Sequence, residues 1–331
     1  MLFSKESPVY FIRGSKTSPQ YNLASEEYFL YQRKENFIML WQNEPSVIIG
    51  RNQNAYAEID IDYVKRYNIP VIRRLTGGGA VFHDLGNVNY TLIKNGEDGM
   101  VDLKTYLEPV ISYLRSKGLD ACLSGRNDIL VDGMKVSGTA QVNYRGRALL
   151  HGTLLFSASL DSLSAALKPN PLKLKAKGIK SVKSRVTNIS SLLKCDMDIN
   201  SFISELSDFL TEREGCIPYD FKKSDDDEIN RLVNEKYGTF SWNMGASPPY
   251  SFEKTVPFGG GLLTASFDVN NGIISGIKLC GDFFGDDISP LENALTGTEY
   301  TPEAVLSALN GIRLCKYISQ ATPNDLIKLL F

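Results

Sequence analysis

Three turn signals constrain this chain more than any other feature. Asp132-Gly133 stands between Ile129–Val131 and Met134–Val136, and Gly146 stands between Gln141–Tyr144 and Arg147–Phe156. Asn271-Gly272 stands between Leu263–Val269 and Ile273–Leu279. Asp-Gly and Asn-Gly readily adopt the positive φ angles of a two-residue hairpin, so each pair of runs is expected to lie side by side, antiparallel. Helical patterns interrupt the strands. Asp102–Lys117 carries apolar residues at 103, 106, 107, 110, 111 and 114, a helical spacing closed by Gly118. Asn22 is expected to cap a helix over Leu23–Arg33, with Glu26 and Glu27 in its first turns, where the helix dipole favours carboxylates. Asp60–Tyr67, Asn200–Glu214, Asp225–Tyr237 and Pro302–Gly311 also read as helices. Val9–Arg13, Phe37–Trp41, Ser46–Ile49 and Val71–Leu75 read as strands. In Asn87–Ile93 the alternation of Val88, Tyr90 and Leu92 predicts a half-buried strand. Strands with helices between and beside them give a mixed α/β or α+β class.

At 331 residues the chain suits one large or two unequal domains. WNMGASPPYSF (242–252), with its paired prolines, reads as a linker, which sets domains at 1–245 and 250–331. A net charge of −2 argues against a general nucleic-acid binder, and no apolar run approaches the length of a membrane helix. The opening MLFSKESPVYFIRG lacks the pattern of a signal peptide. Five cysteines, at 122, 195, 216, 280 and 315, form no CxxC pair, which points to a reduced, cytoplasmic protein. His83 and His151 have no cysteine close by in sequence, so a zinc site is not expected.

RRLTGGGAVFHD (73–84) raises the functional question. A glycine triplet is entropically costly, so it must serve either a tight backbone packing or the close approach of a ligand. Gly259-Gly260-Gly261 has no arginine before it and reads as structural. At the first triplet Arg73 and Arg74 add guanidinium groups to bare amides, a combination that attracts phosphate esters. No GK[ST] follows, so this is not a P-loop, and the glycine spacing is not that of a dinucleotide fingerprint. Lys135 follows the Asp132-Gly133 turn, and Ser137, Gly138, Thr139 and Ala140 then leave room beside it. Asp128 is a candidate Mg²⁺ ligand or a turn aspartate. His83 reads as a hydrogen-bonder beside Asp84 rather than a base. KPNPLKLKAKGIKSVKSR (168–185) carries seven basic residues and no acid, and its prolines deny it regular structure.

RRLTGGGAVFHDLGN (73–87), SGRNDI (124–129), KVSGTA (135–140), HGTLLF (151–156) and SVKSRVTNI (181–189) follow one another in an order that resembles lipoate–protein ligase A. WNMG (242–245) resembles the start of that family's accessory domain. The resemblance implies an α+β fold: a large mixed-sheet catalytic domain related to biotin ligases and class II synthetases, with a small C-terminal accessory domain. It implies activation of lipoate with ATP and Mg²⁺, then transfer to a lysine of an acceptor protein. The acceptors would be lipoyl domains of 2-oxoacid dehydrogenase complexes and the glycine-cleavage H protein. No membrane or nucleic-acid partner is implied, and a monomer is expected. ATP contacts would come from Arg74, the backbone of Gly79, Ala80, Val81 and Phe82, and Lys135. The lipoyl adenylate would meet Arg73, Leu75, Gly78, Asn87, Lys135, Ser137, Ala140, His151 and Thr153, and Lys180, Ser181, Val182 and Arg185 would belong to a loop that closes over it. Leu75, Phe82, Tyr90 and Leu149 are the expected apolar lining, while Tyr28 and Trp41 are expected in the core.

The chemistry gives Lys135 a reason. Carboxylate and α-phosphate are both anions, and like charges about 4 Å apart repel by roughly 4 kcal/mol in a surface-like dielectric. A fixed ammonium between them reverses that sign. The base for the acceptor lysine stays open between Asp128 and a phosphate oxygen. An ATP-independent acyl transferase of the same fold would need a cysteine carrier, and none lies between Cys122 and Cys195. A non-catalytic lipoate binder would not need Lys135.

Overall fold

The computed structural model describes residues 2–3, 7–97, 99, 101–124, 127–167, 186–247, 250–259, 261–281 and 286–331. By their internal contacts they form two units, Met1–Gln53 with Ala57–Thr239, and Asn54–Tyr56 with Phe240–Phe331. In chain order the strands of the first unit are β1 (Val9–Arg13), β2 (Asn36–Trp41), β3 (Ser46–Ile49), β4 (Val71–Arg73), β5 (Val81–His83), β6 (Asn87–Asn95), β7 (Ala121–Ser124), β8 (Asp128–Val131), β9 (Met134–Tyr144), β10 (Arg147–Leu155) and β11 (Ile217–Pro218). Eight of them form one mixed sheet in the order β11-β1-β2-β6-β10-β9-β8-β7, and β4-β3-β5 form a second. β11, β1 and β2 run parallel, and the remaining neighbours of the large sheet run antiparallel.

The hairpins follow from their turns. Asp132 and Gly133 have φ of 49° and 77°, and Arg145 and Gly146 have 50° and 76°. These left-handed pairs match the twist of the strands they join. The first turn joins β8 to β9 and the second joins β9 to β10, so one continuous strand, β9, serves both hairpins.

β6 corrects an expectation. Val88, Tyr90 and Leu92 are buried on one face, yet Asn87, Asn89 and Thr91 are buried on the other. The strand lies between β2 and β10 and is covered on both sides, which alternation alone does not reveal. Its even-numbered residues join an apolar core with Tyr106, Leu107, Val110 and Ile111 of the helix Leu103–Ser116 and with Phe202 and Leu206 of the helix Ile199–Glu214. Asp102 caps the first helix by accepting from the amides of Lys104 and Thr105. Fully burying one such leucine contributes about 1.5–3 kcal/mol.

The first helix also differs from expectation. It spans Pro19–Tyr31, and Ser18, not Asn22, is the N-cap. Ser18-Pro19 supplies the capping hydroxyl and the preset φ of the first turn. Asn22 lies inside the helix, where its amide donates to Lys16 O and Gln42 O. Every residue from Tyr21 to Leu30 is buried. Glu26 and Glu27 are therefore held by partners from other elements and lie outside the first turn. Glu27 accepts from Lys236 and Tyr237. In the region read as the helix Asp225–Tyr237, Lys223–Leu232 is α-helical and Val233–Tyr237 winds more widely.

The second unit holds a three-stranded antiparallel sheet, β12 (Tyr250–Phe258), β13 (Gly261–Asn270) and β14 (Ile273–Gly281). β12 begins inside the stretch read as a linker. Pro257, which argues against a central strand, is tolerated because β12 is an edge strand. Leu263, Ala265, Phe267 and Val269 alternate into the core of this unit. Helices at Ser289–Leu295, Pro302–Ala308 and Pro323–Leu330 accompany the sheet. No helix among the described residues is long and apolar enough to cross a membrane.

Candidate active site

Opposite the apolar core, the odd-numbered residues of β6 and β10 face the first helix and the small sheet. A cavity of about 180 Å³ lies there. Its walls come from Leu23 of the helix, Trp41, Ile48, Val81 and His83 of the strands beside it, and Asn89, His151 and Thr153 of the large sheet. The loop Gly78-Gly79-Ala80, the side chain of Arg74, Asn127, and the β9 residues Lys135, Gly138, Thr139 and Ala140 complete it. The motifs at 73–83, 135–140 and 151–153, far apart in sequence, therefore meet.

Arg74 shapes the glycine loop. Its Nη2 donates to Gly77 O (2.7 Å) and Gly79 O (2.8 Å), its Nη1 to Ile48 O, and its Nε to Thr76 Oγ1 (2.9 Å). Peptide planarity then turns the Gly78 and Ala80 N–H groups away from the guanidinium. Gly78 has φ +96°, and a Cβ there would lie 2.9 Å from Arg74 Nη2, so glycine is required. At Gly79 a Cβ would meet no protein atom within 4 Å, so protein packing does not explain the missing side chain. Arg73 faces away and donates to Gly50 O, Arg51 O and Gln53 O. Burial pushes both arginines down to about 10, which leaves them cationic at neutral pH.

Lys135 enters from the β8–β9 hairpin. The register shifts between Ile129 and Leu130, so Leu130 faces Lys135 while Ile129 faces Ser137. Such a bulge re-aims side chains. Lys135 Nζ lies 2.7 Å from Asp128 Oδ1, and both side chains are about one-third exposed. A Cβ on Gly138 would come within 3.0 Å of that Nζ. The chain returning at Val186 bridges to Lys135, with Thr187 N donating to Lys135 O (3.0 Å).

Beneath the loop runs a buried polar chain. Trp41 Nε1 donates to Thr91 Oγ1 (2.9 Å), whose hydroxyl donates to Glu26 Oε1 (2.6 Å). On the other side Arg74 Nε occupies a lone pair of Thr76, whose hydroxyl meets His151 Nε2 (2.8 Å). His151 Nδ1 lies 2.9 Å from both Glu26 oxygens. Indole and guanidinium N–H groups only donate. Both arms therefore converge on one acceptor, Glu26, and His151 carries its proton on Nδ1. His83 differs from expectation, because its Nδ1 meets Asn43 Nδ2 (3.1 Å) and not Asp84. Asp84 instead accepts from the amides of Gly86 and Ser159. Burial, with the nearby Arg74 cation, pushes His83 down to about 3, so it is neutral near pH 7.

Of the expected site residues, Lys135, Arg74, Gly78, Gly79, Ala80, Val81, Ala140, His151 and Thr153 line the cavity. Arg73, Leu75, Phe82, Asn87 and Ser137 do not; all five are buried elsewhere. Phe82 follows Val81, which lines the cavity, on a strand whose side chains alternate in direction. Ser137 lies on the core face, 3.4 Å from Tyr90 OH. Tyr90 and Leu149, expected as apolar lining, also stay out of the cavity, and Trp41, expected in the core, lines it. Tyr28 is buried and donates to Asp225. Lys180, Ser181, Val182 and Arg185 lie outside the described residues. Glu26 and Asn89 carried no motif. Two carboxylates in an otherwise apolar run, LASEEYFL, were the available signal for Glu26. Among the described residues no group of three or more His, Cys, Asp or Glu is placed to hold a metal ion.

The profile of the lipoyl protein ligase A/B catalytic domain matches residues 18–211, and that of the bacterial lipoate protein ligase C-terminus matches 247–330. The lipoate-protein ligase LplJ of Bacillus subtilis is 40% identical over 320 residues, covering 95% of this chain and 97% of the relative. Lipoate–protein ligase 1 of Staphylococcus aureus is 39% identical over 318 residues, with the same coverage. Among solved structures, the bipartite lipoate protein ligase of Thermoplasma acidophilum, described with its E2 lipoyl domain, is 29% identical with a TM-score of 0.64. That match covers 73% of this chain and 98% of the other. A lipoate-protein ligase A bound with ATP is 28% identical with a TM-score of 0.62, over 72% and 99%.

Proposed function

Because the chain belongs to the lipoyl protein ligase A/B family and is a lipoate–protein ligase, we propose that its first unit joins lipoate to ATP as lipoyl-AMP and then passes the lipoyl group to a lysine of an acceptor protein. One observation carries this reading: the Lys135 ammonium and the Arg74-held glycine loop line one cavity. The carboxylate of lipoate and the α-phosphate of ATP would approach Lys135, which offsets their mutual repulsion and orients the attack. Carboxylate oxygen displaces pyrophosphate from the α-phosphorus, which gives the mixed anhydride. The acceptor amine, deprotonated, then attacks the acyl carbon and AMP leaves. The Gly78 and Ala80 amides are the proposed phosphate donors, and Arg74 acts by holding the loop.

Asp128 is the proposed Mg²⁺ ligand. One carboxylate together with nucleotide phosphates is a donor set that suits this ion, although Lys135 already engages one oxygen of Asp128. When bound, Mg²⁺ would neutralise the departing pyrophosphate. The segment 168–185 is proposed to close over the adenylate and exclude water, since its return point docks on the Lys135 backbone. Acceptors are proposed to be lipoyl domains and the glycine-cleavage H protein, the enzyme a cytoplasmic monomer, and the second unit an accessory domain. No cysteine lines the cavity, which disfavours transfer through a thioester.

The test is lipoate-dependent exchange of pyrophosphate into ATP. Lys135→Ala is expected to lower it by about a thousandfold while circular dichroism and thermal unfolding stay as in the parent. Undiminished exchange in a folded variant would reject the role of Lys135.

A further inference from the structure

Arg73 is fully buried and does not line the cavity, so adenylation leaves the second arginine of the motif unused. Burying a guanidinium is costly unless its donors are paired. Arg73 Nη1 donates to Gly50 O (3.0 Å), Arg51 O (3.0 Å) and Gln53 O (2.7 Å). These carbonyls belong to the turn that follows β3, whose last residue, Ile49, pairs with Arg73. The turn closes on itself, with Gln53 N donating to Gly50 O and Gly50 N to Gln53 Oε1. Arg51 N donates to Thr76 O (2.8 Å), which lays the turn along the start of the glycine loop.

Gly50 is where the turn meets that loop. A Cβ there would stand 2.2 Å from Gly78 O and 3.1 Å from Gly78 C, so the Gly78 carbonyl points at Gly50 with its oxygen foremost. Arg74 takes the carbonyls on either side, Gly77 O and Gly79 O. In a planar trans peptide the N–H points opposite to the C=O. The Gly79 N–H is therefore turned away from Gly50. It makes no hydrogen bond among the described residues. Gly79 itself lines the cavity, with open space where a side chain would stand. A peptide between two glycines meets little steric resistance to rotation. Reversed, this one would offer a phosphate an oxygen in place of an N–H.

We propose that Arg73 is a positioning residue for the nucleotide: through the turn Gly50–Gln53 it fixes the Gly78–Gly79 peptide and keeps the Gly79 N–H available to a phosphate of ATP. The proposal rests on the ligase reading and deepens it. Arg74 orients the Gly78 and Ala80 amides from one side, and Arg73 orients the amide between them from the other. A lysine at 73 would keep the charge but lose the planar fork that is shared among three carbonyls.

Gly50→Ala and Arg73→Lys test this in the full chain. Gly50 has no positive φ, so alanine is allowed there, and its methyl would meet the Gly78 carbonyl first. Calorimetry measures ATP binding, and pyrophosphate exchange gives kcat and the KM for ATP and for lipoate. Each variant is expected to bind ATP about tenfold more weakly, the effect of losing one hydrogen bond to a charged group. The KM for ATP should rise alike, with kcat and the KM for lipoate unchanged. Unchanged ATP affinity in either folded variant overturns the proposal, and so does an equal loss of lipoate affinity. Should neither variant fold, the parent decides: its Gly79 amide resonance is expected to shift when ATP is added, and a resonance that stays in place overturns the proposal. Absence of exchange in the parent would reject the ligase reading instead, and ATP binding would still judge Arg73.

Discussion

Thr76 shows how much rests on single polar atoms. Its hydroxyl accepts from Arg74 and donates to His151, and it is fully buried. It joins the arginine that holds the glycine loop to His151, which in turn meets the Glu26 carboxylate. Thr76→Val keeps the shape and removes the link, leaving Arg74 Nε and His151 Nε2 buried without that partner. The expected cost is about 1–3 kcal/mol in urea unfolding, together with a severalfold rise in the KM for ATP. Unchanged stability and an unchanged KM would mean that the link does not position the loop. At this scale the sequence made Arg74, the glycines and Lys135 legible, because charge beside bare backbone is rare enough to notice. It hid the roles of Glu26 and Asn89. Their significance lies in partners from strands up to 125 residues away, as with Glu26 and His151.

Among elements, the β8–β9 hairpin matters most to the chemistry. Its turn is written in Asp132-Gly133, and both residues adopt the expected positive φ. Its bulge is not written in any residue type, and the bulge sets where Lys135 points. Gly138 faces Asp128 across the strands and leaves space that the ammonium uses. Gly138→Ala needs no unusual φ, so the hairpin is expected to form, but the new methyl would push Lys135 Nζ aside. Pyrophosphate exchange should fall by about tenfold or more, with the melting temperature little changed. An equal loss of stability and activity would assign Gly138 to folding rather than to lysine placement. The first helix teaches a related lesson. Asn22 looks like a cap, but Ser18-Pro19 starts the helix earlier, and Asn22 then serves the interior.

Acidification tests the first unit as a whole. His83 has a folded pKa of about 3, against about 6.5 when unfolded. Between those values the unfolded chain binds a proton that the folded chain does not. Stability therefore rises with pH across this window and is lost on acidification, by up to about 1.4 kcal/mol per pH unit. His83→Asn should flatten the slope of unfolding free energy between about pH 4.5 and 6, above the range where most unfolded carboxylates titrate. Parallel slopes for parent and variant would show that His83 is not kept neutral by burial. The sequence by itself determined the hairpins, the main helices and the arginine–glycine–lysine set, because turn geometry, periodicity and charge are local properties. Only the tertiary structure decided which face of each strand meets the cavity, where Arg73 and Ser137 turn away, and how Glu26 comes to meet both Thr91 and His151. Those outcomes depend on strand register and on burial, and both are set by residues distant in the chain.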